Sequence, residues 1–429
     1  MNNLTYSRDY LEALDKGRPP NIKRLFPNSK ALIVSGKVID RAMIKKGRCM
    51  TIAANARNYF VAKGVLLAAQ RANAAIIVEI AKSEGGLNGY CAINYWNLAR
   101  IVDNLCNELH ITIPIAIHAD HYGIKNSADL EQAKDIIPSL FHYGITSIAI
   151  DASHLPEDEN LLANIELCRY IPSWAGYETE VGEIKGKEGM TTVEEAEFHI
   201  RGLNAHGIFP DWLAINNGTV HGIEQEAYGI DLQRTIEIHN AISDFGISGA
   251  QHGTSGNSFE MLKKIAKETL TTKANISTAL QMVSWGVKVN EYGNAILDSE
   301  GRLIKEDSKG IPSELWDKMV RYANDRGWGV SDYKRLNLPF ENYLLSLPPE
   351  IRDRITEGVS DFVYRLLTEV FNAKESADTA MELILERGSH DMGFKTTKKE
   401  NPVDWTAEEI RKRASQFSSD HGKAGDYDD

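Results

Sequence analysis

The stretch Ile113–Gly123 reads IPIAIHADHYG. An apolar run of strand length ends in two histidines, an aspartate and a glycine. A strand covered on both faces has no solvent side to serve, so it carries a near-continuous apolar run, as in parallel sheets. In extended chain His118 and Asp120 face the same way. Gly123 lets the chain turn just afterwards, so that His121 can swing toward them. Buried imidazoles and a carboxylate this close are costly unless something satisfies them, either a hydrogen-bonded polar cluster or a metal.

Seven other runs have the same character: CMTIAAN (49–55), AAIIVEIA (74–81), TSIAID (146–151), WAGYETEVG (174–182), WLAINNG (212–218), GISGAQHG (246–253) and TKANIST (272–278). Helical patterns such as VAKGVLLAAQRAN and DENLLANIELCRYI fill several gaps. Eight strand–helix units predict an α/β fold, a (β/α)8 TIM barrel with an additional C-terminal helical extension. A doubly wound open sheet is the alternative. No GxGxxG follows the first run, which weakens a dinucleotide-binding reading. Polar residues gather at the C-terminal ends of the runs, where a barrel keeps its chemistry.

The predicted organisation is a helical segment over 1–48 that closes the barrel, with Val38, Ile39, Ala42 and Met43 at helical spacing, and a catalytic barrel over 49–299. A helical extension over 300–388 follows, broken at Pro312, Pro339 and Pro348–Pro349, then a polar, partly mobile tail over 389–429. The 429 residues, 42% hydrophobic, are ample for a large core. A net charge of −12 argues against general nucleic-acid affinity, which needs a basic face. Cys49, Cys91, Cys106 and Cys168 form no CxxC pair and read as reduced thiols. The first residues lack the apolar core of a signal peptide, and no apolar run approaches the ~18 residues of a membrane span. The expectation is a soluble, cytoplasmic protein with neither nucleic acid nor membrane as partner.

His221 in INNGTVHG and His252 in SGAQHGTSG occupy strand-end positions like those of His118 and His121. Either alone would read as a buried neutral histidine; together they point to a divalent-metal site. Glu178 and Glu180 share one face of the fifth run, either as a solvated pair or as carboxylates that reach the metal or orient a ligand histidine. EVGEIKGKEGM (180–190) reads as a mobile loop over the barrel mouth, with Glu188 near its tip. Gly222 follows the sixth run, Gly253 ends the seventh with Ser255 just after it, and Asn275, Ser277 and Thr278 end the eighth. The loops after the seventh and eighth strands are this fold's usual phosphate site. Ser83 in KSEGG could serve a second anionic group.

These motifs, His118-x-Asp120-His121, Glu180-Val-Gly182, Asn217-Gly-Thr-Val-His221-Gly222, His252-Gly-Thr-Ser-Gly256 and Asn275-Ile-Ser-Thr278, in this order, resemble those of class II, zinc-dependent fructose-bisphosphate aldolases. Ile150-Asp-Ala-Ser-His154 resembles the family's fourth-strand segment. The resemblance implies His121, His221 and His252 as ligands of one Zn2+, and Glu180 as a carboxylate near an alternative metal position. It implies Asp120 and Glu188 as the catalytic acid/base residues. Gly222, Gly253 and Ser255 would hold a substrate phosphate and a monovalent cation (Na+ or K+). Asn275, Ser277 and Thr278 would contact substrate, and Asn55 and Ser83 its other end. It also implies a homo-oligomer, dimer or tetramer. The chain departs from the family at Thr254, where a glycine is common, at Ser277, where some members carry aspartate, and at Lys187. The family's phosphate-binding arginine has no evident match after residue 299. The implied reaction is metal-dependent reversible aldol cleavage of a ketose bisphosphate, fructose 1,6-bisphosphate first. The alternatives are another phosphorylated ketose (tagatose bisphosphate, a deoxy or sulfo sugar), a zinc sugar isomerase, or a non-catalytic scaffold subunit.

Overall fold

A computed structural model describes residues 6–182, 189–219, 229–255, 257–290 and 293–417. The eight predicted runs are strands: β1 (Thr51–Asn55), β2 (Ile76–Ala81), β3 (Ile115–Gly123), β4 (Ser147–Asp151), β5 (Gly176–Val181), β6 (Trp212–Ile215), β7 (Ser248–Gln251) and β8 (Thr271–Ile276). Every pairing is parallel, and β1 pairs with β8, so the sheet closes into an eight-stranded barrel. A two-residue strand, Ile33–Val34, adds to the start of β3. Nearly every barrel-strand residue is buried, as the unbroken apolar runs require. The barrel is the TIM fold, with further helices following it in the chain.

The floor is plugged by the helix Gly36–Lys46, capped by Ser35, whose hydroxyl accepts from Lys37 N. Its N-terminus enters against the first residues of β4, β5 and β6. A Cβ on Gly36 would stand 2.6 Å from Ser147 Cβ, and one on Gly176 3.0 Å from Gly36 Cα. Glycine is what lets helix and strand backbones approach this closely.

The helix Tyr59–Ala72, capped by Asn58, carries the extension on its outer face. Helix Pro349–Arg365 crosses it at Gly64, where a Cβ would meet Val359 Cβ at 2.7 Å and Thr356 O at 2.8 Å. The extension builds its own apolar cluster of Trp285, Trp316, Met319, Tyr333, Leu336 and Phe340. The stretch 349–387, which follows the Pro348–Pro349 break and reads from its spacing as one amphipathic helix, is two helices. The first runs on through Val370, the second is Ser376–Arg387, and Asn372 and Glu375 between them take positive φ, 56° and 66°. No proline marks that break, so spacing alone did not show it. The stretch after Gly388 docks under the barrel. Lys395 Nζ donates to Asp40 Oδ2 (2.7 Å), Asp211 O (2.9 Å) and Ser248 Oγ (2.9 Å), and Arg41 pairs with both aspartates. Trp405 is buried against Phe198, ring centroids 5.6 Å apart.

His239 sits between β7 and β8. Its Nδ1 accepts from Leu270 N at 3.1 Å, and its ring packs where Gly249 has no side chain. Burial holds it down to about 4, against an ordinary 6.5. The unfolded chain binds this proton below about pH 6.5 and the folded chain only near 4. Stability is therefore complete above that window and declines as pH falls through it, by about 3 kcal/mol at the low end. Urea unfolding of wild type and His239→Gln between pH 7 and about pH 4.5 checks this. The variant is expected to lose less stability on acidification, and equal losses would refute the assignment.

Candidate active site

The barrel's C-terminal rim gathers the predicted chemistry. The β3–β4 pairing shifts register between Ala119 and Tyr122, and His121 takes φ 38°. The turn that swings this imidazole inward is thus at His121 itself, not at Gly123. A non-glycine residue in the left-handed region is sparsely populated and persists where the surrounding structure holds it.

His121 Nε2 and His252 Nδ1 face each other at 2.7 Å. The opposite nitrogen of each ring is held by carboxylates. His252 Nε2 lies 2.8 Å from Glu178 Oε1, and His121 Nδ1 lies 3.1 Å from Glu180 Oε1 and 3.3 Å from Asp151 Oδ2. Those partners favour tautomers with the N–H groups outward, so a cation between the rings would find a lone pair on each facing nitrogen; without one, the 2.7 Å contact is a hydrogen bond for which His121 supplies the proton. Asp120, His121 and His252 can each offer an atom within 4.8 Å of the others'. Glu180 Oε1 is buried beside the His121 imidazole, 3.1 Å from its Nδ1. The donor set of imidazoles and carboxylates fits zinc. Burial opposes charge on His121, but the carboxylates of Glu180 and Asp120 hold it well above the ordinary imidazole range. Burial, with Asp151 adding to it, pushes Glu180 up to about 8.

Asp120 is buried between two amides. Its Oδ1 accepts from Asn275 Nδ2 at 2.7 Å and its Oδ2 from Asn55 Nδ2 at 3.3 Å. Among the described residues, the buried carbonyl oxygens of both amides have no hydrogen-bond partner, nor has Ser83 Oγ. Ser277 Oγ donates to Glu84 Oε1 at 3.2 Å, and Thr278 opens the helix that follows. Gly253, at φ 58°, and Ser255 follow His252. Glu188, His221 and Gly222 lie outside the described residues.

His118 is not part of the His121–His252 group. Its Nδ1 meets Ser147 Oγ at 2.8 Å and its Nε2 meets Lys273 Nζ at 3.2 Å, lower in the barrel. Burial, reinforced by that ammonium, holds it well below the ordinary value. Lys273 itself escaped the sequence reading. Fully buried, it donates to Glu178 Oε2 at 2.7 Å and lies 3.4 Å from Glu79 and 3.8 Å from Asp120. Burial works against its charge, but the three carboxylates outweigh it and raise the ammonium's pKa. Burial and the neighbouring Asp120 push the Glu79 carboxyl well above its ordinary value. Glu84 was also missed. It accepts from Asn55 Nδ2 (2.8 Å) and Ala81 N (2.9 Å) and pairs with Arg57 (2.5 Å), so it positions Asn55. Its only sequence signal was adjacency to Ser83.

A cavity of about 850 Å³ opens beside His121 and Asp151. Ser83, Tyr95 and His154 line its barrel side, and Arg326, Trp328 and Arg335 from the extension line the other.

A family model described as fructose-bisphosphate aldolase class-II matches residues 37–323. The fructose-bisphosphate aldolase of Mycoplasma pneumoniae is 31% identical over 282 residues, 62% of this chain and 89% of that protein. That of Staphylococcus aureus strain Mu50 is 29% identical over 237 residues, 54% of this chain and 76% of the other. Among solved structures, a fructose-bisphosphate aldolase of Campylobacter jejuni superposes with TM-score 0.52 at 17% identity, covering 81% of this chain and 96% of that one. An aldolase of Escherichia coli K12 gives 0.53 at 16%, covering 80% and 98%. At these identities the structural likeness is one of fold.

Proposed function

The chain belongs to the class II fructose-bisphosphate aldolase family, and on that footing we propose that it catalyses metal-dependent, reversible aldol cleavage of a ketose bisphosphate. Fructose 1,6-bisphosphate, giving dihydroxyacetone phosphate and glyceraldehyde 3-phosphate, is the first substrate in view. The observation that carries the reading is the pair of facing imidazole nitrogens beside a buried, amide-held aspartate.

His121 and His252 would hold zinc, with His221 as third ligand and Glu180 as a carboxylate at an alternative position. Bound zinc supplies a Lewis acid that draws electron density from the ketose oxygens. Glu178 fixes the His252 tautomer, leaving Nδ1 for the metal. Asp120 takes the proton of the C4 hydroxyl as the C3–C4 bond breaks and returns it in the reverse direction. Asn55 and Asn275 aim its two oxygens, and their free carbonyls can meet sugar hydroxyls. Glu188 returns a proton to the carbon left by the broken bond. Gly222, Gly253 and Ser255 would hold the dihydroxyacetone phosphate end, with a sodium or potassium ion. Ser277 and Thr278 extend that contact, and Ser83 serves the far phosphate.

The test is a coupled assay of triose phosphate release with EDTA and zinc add-back. Activity is expected to fall below about 1% with EDTA and to return with zinc. Undiminished turnover in metal-free enzyme would refute the reading, and ketose–aldose interconversion without fragmentation would replace it with an isomerase.

A further inference from the structure

We propose that the stretch 326–339 is a specificity wall that admits phosphorylated aldoses longer than a triose to the aldehyde side of the site; this rests on the aldolase reading above. The cavity runs from His121 and Asp151 at the barrel rim to Arg326, Trp328, Arg335 and Leu338 on the extension. At about 850 Å³ it lies high in the ~300–1,000 Å³ range of small-molecule sites, far more than the three-carbon half of a hexose fills. The family match ends at residue 323, so this wall is built from chain that the family model does not cover.

The wall is anchored. Leu338 N donates to Tyr90 O at 3.0 Å, Asn337 Nδ2 to Gln281 Oε1 at 2.8 Å, and Tyr333, Leu336 and Phe340 sit in the extension's core. Its chemistry suits a long, hydroxylated chain with an anionic tip. Lys82, Lys125, Arg326 and Arg335 all line the cavity of a chain whose net charge is −12. Trp96, Tyr322 and Trp328 add flat apolar surface for the carbon chain. The Arg326 guanidinium lies 3.4 Å from the Tyr322 ring centroid, a stacking that orders its planar fork for a phosphate. Ser83, on the barrel side, answers the shorter aldehyde; the extension's arginines answer the longer one.

In the condensing direction, C3 of dihydroxyacetone phosphate loses a proton to Glu188 and bonds to the aldehyde carbon. The aldehyde oxygen takes a proton from Asp120, and nothing is oxidised or reduced.

The zinc-loaded full chain is assayed for condensation of dihydroxyacetone phosphate with phosphorylated aldoses of three, four and five carbons. We expect kcat/KM for the four- or five-carbon aldehyde to equal or exceed that for the triose; values about tenfold lower for both would overturn the proposal. Arg326→Gln and Arg335→Gln should each raise KM for the five-carbon aldehyde about tenfold, and that for the triose less than about twofold. Equal rises at every length would reduce the wall to a structural part and also overturn it. Exchange of the dihydroxyacetone phosphate C3 proton with solvent needs no aldehyde. Exchange without length preference sinks only the wall; absence of exchange sinks the aldolase reading and the wall with it.

Discussion

Asp120→Asn is expected to lower kcat for ketose bisphosphate cleavage by about 10²–10⁴-fold, the usual worth of a positioned proton-transfer group. The site explains why so small a change is severe. Asn275 and Asn55 each aim an amide N–H at one Asp120 oxygen, so both oxygens must accept. An asparagine there has one acceptor, and its amide must oppose one of the two donors. It also cannot take the C4 hydroxyl proton. His121 and His252 are untouched, so zinc content by metal analysis should stay near one per chain. Proton exchange on dihydroxyacetone phosphate, which falls to Glu188, should survive. Cleavage at wild-type rate in a variant of confirmed mass would remove Asp120 from its role.

Lys273→Met is expected to cost about 3–5 kcal/mol of stability, the usual penalty for stranding the partner of a buried ion pair. One ammonium here serves Glu178 at 2.7 Å, Glu79 at 3.4 Å and Asp120 at 3.8 Å, with no water-facing surface on lysine, Glu79 or Glu178. Glu178 is also the group that orients His252. Freed from Lys273, it holds the imidazole less well, and zinc affinity should fall about 10–100-fold, as for other outer partners of metal ligands. Denaturant unfolding reads the first effect and a competing chelator the second. Adding Glu178→Gln to Lys273→Met should restore part of the stability, because the stranded charge is then gone. If Lys273→Met unfolds at the wild-type denaturant midpoint, the shared-ammonium account fails.

The eight strands were legible because a barrel strand is buried on both sides and writes that burial as an uninterrupted apolar run. Asp120, His121 and His252 were legible because charged and imidazole groups at the ends of such runs are anomalies that local packing cannot absorb. Lys273 was not. It sits in TKANIST among small residues, and its partner Glu178 lies 95 residues away in sequence, so the pairing exists only once the barrel closes. The His121 turn was misplaced to Gly123 for a related reason. Glycine advertises left-handed backbone, whereas the bulge that imposes φ 38° on a histidine is set by pairing with β4. The docking of 390–417 was hidden likewise, since a lysine-rich stretch reads as solvated until Asp40 and Asp211 are found beneath it.

The clasp beneath the barrel also has a bearing on biosynthesis. Asp40 and Asp211, both buried, share Arg41 with each other, and Asp40 waits for Lys395 to complete its surroundings. A ribosome adding ~5–20 residues per second delivers the strands well before that lysine. The nascent barrel thus passes through an interval in which its underside carries more buried acid than base. Closure from below therefore waits for Lys395, which leaves the ribosome well after the last barrel strand, Thr271–Ile276.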